Sequence, residues 1–199
     1  MTVFMDAIGI DSFQRYIDRA PAAAQRAARM AINDTAKRKG LPLAREAMLA
    51  QVAWPSGYLN DPRFGLKYLA TDSQLEAGIA GRQTPTSLAR FTTSRPTRRR
   101  SRVSVQVHPG RSVELPRAFL LNLRNGNLGL AVRLRAGETL HSTVGAKLIT
   151  SGPLKGVALL YGPSVDQVFR TVAVDISPPL LGALETEFLR QFARLFGDG

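Results

Sequence analysis

Six arginines within thirteen residues, Arg90, Arg95, Arg98, Arg99, Arg100 and Arg102, are the side chains of this sequence best suited to chemistry with a partner. Each guanidinium is a planar fork of donors shaped for phosphate or carboxylate oxygens. Several such forks on a proline-broken segment can follow a phosphate backbone without reading bases, or dock an acidic patch on a protein. A solvated loop that only keeps the chain soluble is the plain alternative. Phe91 is the one aromatic among them, which argues against a base-stacking platform. No helix-turn-helix or other base-reading motif stands out.

Catalytic chemistry finds less to work with. The acids are scattered, and no pair has the arrangement of a general acid and base. Asp34 and Glu46 form a conceivable pair, for which helical surface acids are the plainer reading. Ser87 and Ser101 lie outside any nucleophile-elbow pattern. Gly126, Gly129 and Gly137 are turn glycines without the lysine of a phosphate loop. The chain has no cysteine, which excludes disulfides, thiolate catalysis and cysteine-bound zinc, and His108 and His141 lack ligand-like spacing. The sequence therefore predicts no enzyme, no cofactor and no metal site.

The elements that must position the arginines centre on Arg117–Arg133, where two apolar runs flank Asn125-Gly126. Asn-Gly supplies the positive φ angles of a type I′ turn, so a hairpin is predicted there. Phe119, Leu121 and Leu123 fall on one face of the first strand, and Leu128, Leu130 and Val132 on one face of the second. A lone hairpin is barely stable in water, so these faces must pack, and the helical ends of the chain are the candidates.

Taken in order, Val3–Ile10 reads as an edge strand, and Asp11-Ser12 as the cap of a short helix over Phe13, Tyr16 and Ile17. An Ala-rich helix is predicted from Pro21, with a kink or break at Gly40-Leu41-Pro42 and a second segment through Ala53. Short strands follow within Leu59–Ala70 and Leu75–Ala80, then an extended basic loop or arm over 83–101, then an alternating strand over Arg102–Val107. Ala136–Ser142 reads as a polar loop, while Val144–Thr150 and Leu154–Leu160 are apolar but ambiguous. Ser164 with Gln167 has capping-box spacing for a helix over Val165, Val168, Phe169 and Val172. A last helix is predicted from Ser177-Pro178, with a stripe at Leu181, Leu184, Phe188, Phe192 and Leu195. Leu180, Leu189 and Phe196 widen that stripe, so the helix needs more than one neighbour: a second layer of the fold or another subunit. Phe119, Leu121, Leu184, Phe188 and Phe192 are the residues expected to serve core or subunit packing.

Charge is distributed very unevenly. Between Ala77 and Gly137 there are 12 arginines and one acid, Glu114, whereas both flanks are nearly neutral; the whole chain carries +12 over 199 residues. With 44% hydrophobic residues the chain supports one sizeable core, read as a single domain over 1–199. No apolar run is long enough to span a bilayer and no basic-then-apolar signal segment opens the chain, so a soluble protein made in the cytoplasm is expected.

Three blocks resemble the prophage minor tail protein Z family, tail-completion components of long-tailed bacteriophages. They are the Ala-rich helix containing Ala28–Ala36; Arg117-Ala118-Phe119 running to Leu123-Arg124-Asn125-Gly126 behind an arginine-rich stretch; and Leu160-Tyr161-Gly162-Pro163-Ser164 followed by Val168-Phe169 and a closing helix. Their succession spans nearly the whole chain. The resemblance implies a structural virion protein at the head-proximal end of the tail, near the path of the genome, assembled in the host cytoplasm. It implies a ring, a homohexamer to match the tail's symmetry. The implied partners are the tail terminator, the tail tube and head-completion or connector proteins, with non-specific contact to genomic DNA and no membrane. The family carries over no functional residues. The residue reading alone leaves a second function open, a non-specific DNA-binding protein in the host cytoplasm. The fold expected is α+β: a mostly antiparallel sheet packed by N-terminal and C-terminal helices.

Overall fold

The structure, a computed structural model, describes residues 22–94, 102–135, 138 and 145–197. The edge strand read at Val3–Ile10, the short helix over Phe13, Tyr16 and Ile17, most of the polar loop over 136–142, and Arg95, Arg98, Arg99 and Arg100 lie outside these residues. The fold is α+β, with helices toward both ends and antiparallel strands between them. Where the sequence reads as one domain, the chain divides into two compact units, 22–48 with 60–82 and 169–197, and 49–59 with 83–168. Neither unit is continuous in sequence, so no linker composition marks the division.

The first unit is built on α1 (Ala22–Thr35). Ala24, Ala27, Ala28 and Ala31 are buried at i, i+3, i+4 and i+7, and their small side chains let neighbours close on the helix. Ile32 and Phe188 pack against Ala28 and Leu75. Asn33 pairs its side-chain amide with the backbone of Ala70 in both directions, at 2.8 and 3.1 Å. Of the kink or break expected at Gly40-Leu41-Pro42, the break is corrected: the helical path is interrupted there but not ended. A π turn (Ala36–Gly40) leads directly into α2 (Leu41–Gln51), with the Leu41 N–H donating to the Ala36 carbonyl. The wider turn steps past Pro42, which has no N–H to give. Gly40 has no Cβ to obstruct Ile79 and Leu180, whose methyl carbons would stand 3.2 and 3.7 Å from one.

Strands β1 (Phe64–Tyr68) and β2 (Gly78–Gly81) pair antiparallel with a bulge near Tyr68. Phe64, fully buried, meets Phe169 edge-on at 5.2 Å. The separate last helix expected from Ser177 is also corrected: one helix, α3, runs from Val165 to Gly197 through Pro178 and Pro179. The two prolines leave the carbonyls of Val174 and Asp175 without intrahelical partners. Both residues are exposed, so the cost of the missing donors is lower here than in a buried stretch of helix. On α3, Leu184, Phe188, Phe192 and Leu195 are half-buried, Leu180 is buried, and Leu181 and Leu189 face outward.

Among the described residues the second unit holds two antiparallel sheets. One runs β3 (Thr86–Ser87), β9 (Val157–Gly162), β7 (Leu128–Arg133), β6 (Ala118–Asn122), with β8 (Gly145–Leu148) also on β9. The other pairs β4 (Arg102–His108) with β5 (Arg111–Pro116). Leu130 and Ala131, adjacent on β7, are both fully buried, so this strand is covered on both faces. Phe119 and Leu121 are half-buried, opposite Ala131 and Gly129 rather than opposite the leucines of β7.

The hairpin forms where expected, but its turn differs. The Leu123 N–H bonds the Asn127 carbonyl and the Gly126 N–H bonds the Leu123 carbonyl, which makes Arg124-Asn125-Gly126 a three-residue loop. Gly126 has φ +76°, whereas Asn125 is not left-handed, so this is a type I turn closed by a glycine bulge, not a type I′ turn. Asn125 Oδ1 instead accepts the Asn127 N–H at 3.1 Å. The reading of 83–101 as one extended loop is corrected over its first part: β3 is followed by a 3₁₀ turn (Leu88–Phe91) that buries Leu88, Ala89 and Phe91. The capping box is present in both directions. Gln167 N–H donates to Ser164 Oγ at 3.1 Å, and Ser164 N–H to Gln167 Oε1 at 2.9 Å.

Candidate polyanion-binding surface

The second unit, Leu49–Leu59 with Gln83–Val168, contains thirteen Lys and Arg against three acids, a net +10 of the chain's +12. All seven of its described arginines, Arg90, Arg102, Arg111, Arg117, Arg124, Arg133 and Arg135, are exposed.

Two of the six arginines picked out first lie in the described residues, and the fold holds each differently. Arg90 leaves the 3₁₀ turn with its guanidinium 5.4 Å from the centre of the Tyr58 ring. That ring is a fixed platform. It stacks parallel to Trp54 at 5.2 Å, its hydroxyl lies 3.2 Å from the Thr86 hydroxyl, and Trp54 leans on Phe91 at 5.4 Å. Arg102 opens β4 and donates to Glu114 at 3.2 Å, the diagonal neighbour across the ribbon. A bridge between Thr92 and Val105 places Arg90 and Arg102 at opposite ends of the pairing between these segments. The fold does not bring the two together.

It does gather four cations that spacing alone does not pick out. Arg117 directly precedes the Ala118–Val132 pair of the β6–β7 ladder and Arg133 directly follows it. Arg133 pairs with Val157 on β9, and the Leu134 N–H then bonds the Gly156 carbonyl at 2.9 Å. The next residues in line are Arg135 and Lys155. One end of the sheet thus carries Arg117, Arg133, Arg135 and Lys155, all exposed. One signal in the sequence pointed to the first two: each lies eight residues from Asn125, so a hairpin turning there sets them across from each other. Nothing local pointed to Lys155.

Glu138 is the carboxylate at this end. It receives two hydrogen bonds from the Arg117 guanidinium, at 2.5 and 3.2 Å, and one from the Arg135 N–H at 2.9 Å. The Arg117 guanidinium, then the Arg135 N–H, hold its carboxyl down at about 2. Arg117 has φ +62°, the one left-handed residue other than glycine among those described. A side chain there is held against a backbone preference that favours glycine.

The remaining candidates occupy ordinary settings. Phe188 stands 5.7 Å from Phe192 on α3. Asp34 contacts Arg38 at 3.8 Å and accepts from Gln191 at 3.3 Å. His108 is exposed, with Nδ1 3.3 Å from the Gln51 carbonyl oxygen. Among the described residues no three His, Asp or Glu side chains are grouped to hold a metal ion, and no helix is long and apolar enough to cross a membrane. Comparison of the chain with family models, with curated proteins and with solved structures finds no match, so the functional reading stands on the residues themselves.

Proposed function

We propose that this chain is a structural virion protein that completes the head-proximal end of a long phage tail and helps form the head–tail joint around the DNA channel. The observation that carries the reading is the charge division: one unit bears +10, and its described arginines all face outward. Such a surface favours a polyanion without sequence preference, as a genome channel requires. The resemblance to the minor tail protein Z family gives it a location, the virion, and partners: further copies in a ring of six, the tail terminator, the tail tube and head-completion or connector proteins. A ring subunit must present two different surfaces to its neighbours. Exposed strands β5 and β8 supply such surfaces, and so do the outward Val174, Leu181 and Leu189 on α3.

The same arginines favour a second reading, a non-specific DNA-binding protein of the host cytoplasm. Quantitative mass spectrometry of purified particles of the encoding phage, with heads and tails separated, decides between them. A few copies per particle, on the scale of one small ring and found with the tail, support tail completion. Absence from particles, with abundance in the infected cell, sinks it and leaves the DNA-binding reading.

A further inference from the structure

We infer that the sheet end bearing Arg117, Arg133, Arg135 and Lys155 is a binding site for the phosphate backbone of duplex DNA. The inference rests on the reading that DNA passes this protein, but not on the protein being part of a virion.

Strand register gathers like charges at one end of the sheet here. Arg117 and Arg133 flank the same cross-strand pair, and Arg135 and Lys155 follow in line beyond the Leu134–Gly156 bond. Like charges gathered on neighbouring strands repel one another. Glu138 offsets part of this repulsion, and it is engaged chiefly by Arg117. Among the described residues Arg133 and Lys155 form no salt bridge. The fold thus gathers exposed cations that packing does not require. A left-handed backbone at Arg117, where glycine would be easier, marks the same place.

The chemistry of the patch favours phosphate over a protein face. Protein interfaces have an apolar centre depleted of charge. This sheet end offers four cations, with the exposed Leu154 beside them and the exposed Leu148 on the neighbouring β8. Cations drawn from three separate stretches of chain, without a base-reading element among them, suit a backbone contact that positions but does not read sequence.

The test uses the full-length protein and a labelled duplex of arbitrary sequence, followed by fluorescence anisotropy as salt rises from about 50 to about 200 mM. Each phosphate contact adds about 0.9 to the slope of log affinity against log salt. The triple variant R133A/R135A/K155A is expected to flatten that slope by about 2 to 3, and equally on a second, unrelated duplex. A charge-matched variant of the same unit, R111A/R124A/K147A, is expected to change it by less than about 1. K155A alone lies on an exposed turn, and its expected loss of about 1 keeps the test open if the triple variant misfolds. Equal losses in the two triple variants would overturn the site while leaving DNA binding in place. Displacement of the duplex by polyglutamate at lower charge concentration would reassign the patch to an acidic protein. Lack of measurable duplex binding by the wild-type protein would overturn the inference outright, whereas the particle measurement tests only the virion assignment.

Discussion

Replacing Gly78 by alanine drives a methyl group into the ring of Tyr68. The two residues face each other across β1 and β2, and the aromatic ring covers the glycine. A Cβ at Gly78 would lie 2.5 Å from Cε1 and 2.7 Å from Cζ of the ring, where ordinary contact begins at 3.4 Å. The ring must withdraw by roughly 1 Å, and its hydroxyl then leaves Glu76, to which it donates. Overpacking of this kind costs about 1–3 kcal/mol and the lost hydrogen bond about 1. Alanine returns about 0.5–1 kcal/mol of strand preference. The net loss is about 2 kcal/mol, which for a chain of this size lowers the melting temperature by about 4–8 °C. A second readout is specific to the contact. Burial first, then the Glu76 hydrogen bond and charge, push the Tyr68 phenol up to about 12 from 10.0. Because the folded value exceeds the unfolded one, this group's contribution is whole below pH 10 and is lost as pH rises through 12. In the variant the phenol should titrate closer to 10.0 by ultraviolet difference absorbance. Y68A/G78A should recover part of the loss that G78A adds to the wild type. A G78A protein that melts with the wild type, its Tyr68 phenol still near 12, would refute the contact and the register that creates it.

Two further outcomes are open to measurement. Ser164→Ala removes one arm of the capping box at a residue that is 2% exposed, and should cost about 1 kcal/mol by chemical denaturation, with Q167A/S164A little worse than the worse single variant; fully additive losses would mean that the two bonds are not reciprocal. Glu138 should titrate at about 2 by carboxyl-carbon NMR, so its stabilising contact with Arg117 is present above 4.5 and is lost as pH falls through about 2; Arg117→Ala should move it back toward 4.5, incompletely because the Arg135 N–H remains, and an unmoved Glu138 would show that Arg117 is not its partner.

Much of the fold is legible in local residue patterns. The α+β class, the Ala-rich stripe of α1 and the Ser164–Gln167 cap all follow from interactions within a few residues of sequence, and each is present. At two places a proline signal does not end the helix. Pro42 and Pro178-Pro179 each withhold a backbone donor, which locally favours a break. The π turn absorbs the first, and the second falls where α3 exposes Val174 and Asp175. The hairpin forms at the expected place with a different turn type. Its type depends on which residues close the loop, and the loop closes at Leu123–Asn127 rather than Arg124–Asn127, one residue further out on the first strand only.

The sequence by itself determined how much charge this protein carries and which part of the chain carries it, because charge is a sum over residues and survives any folding. Which charges become neighbours was decided only by the tertiary structure. Arg90 and Arg102, close in sequence, are placed apart by a single bridge, whereas Arg133 and Lys155, 22 residues apart, are brought to one sheet end. Register sets that neighbourhood. It depends on which strand faces of β6, β7 and β9 can be buried against each other, and that is a property of the packed sheet rather than of any one stretch of sequence.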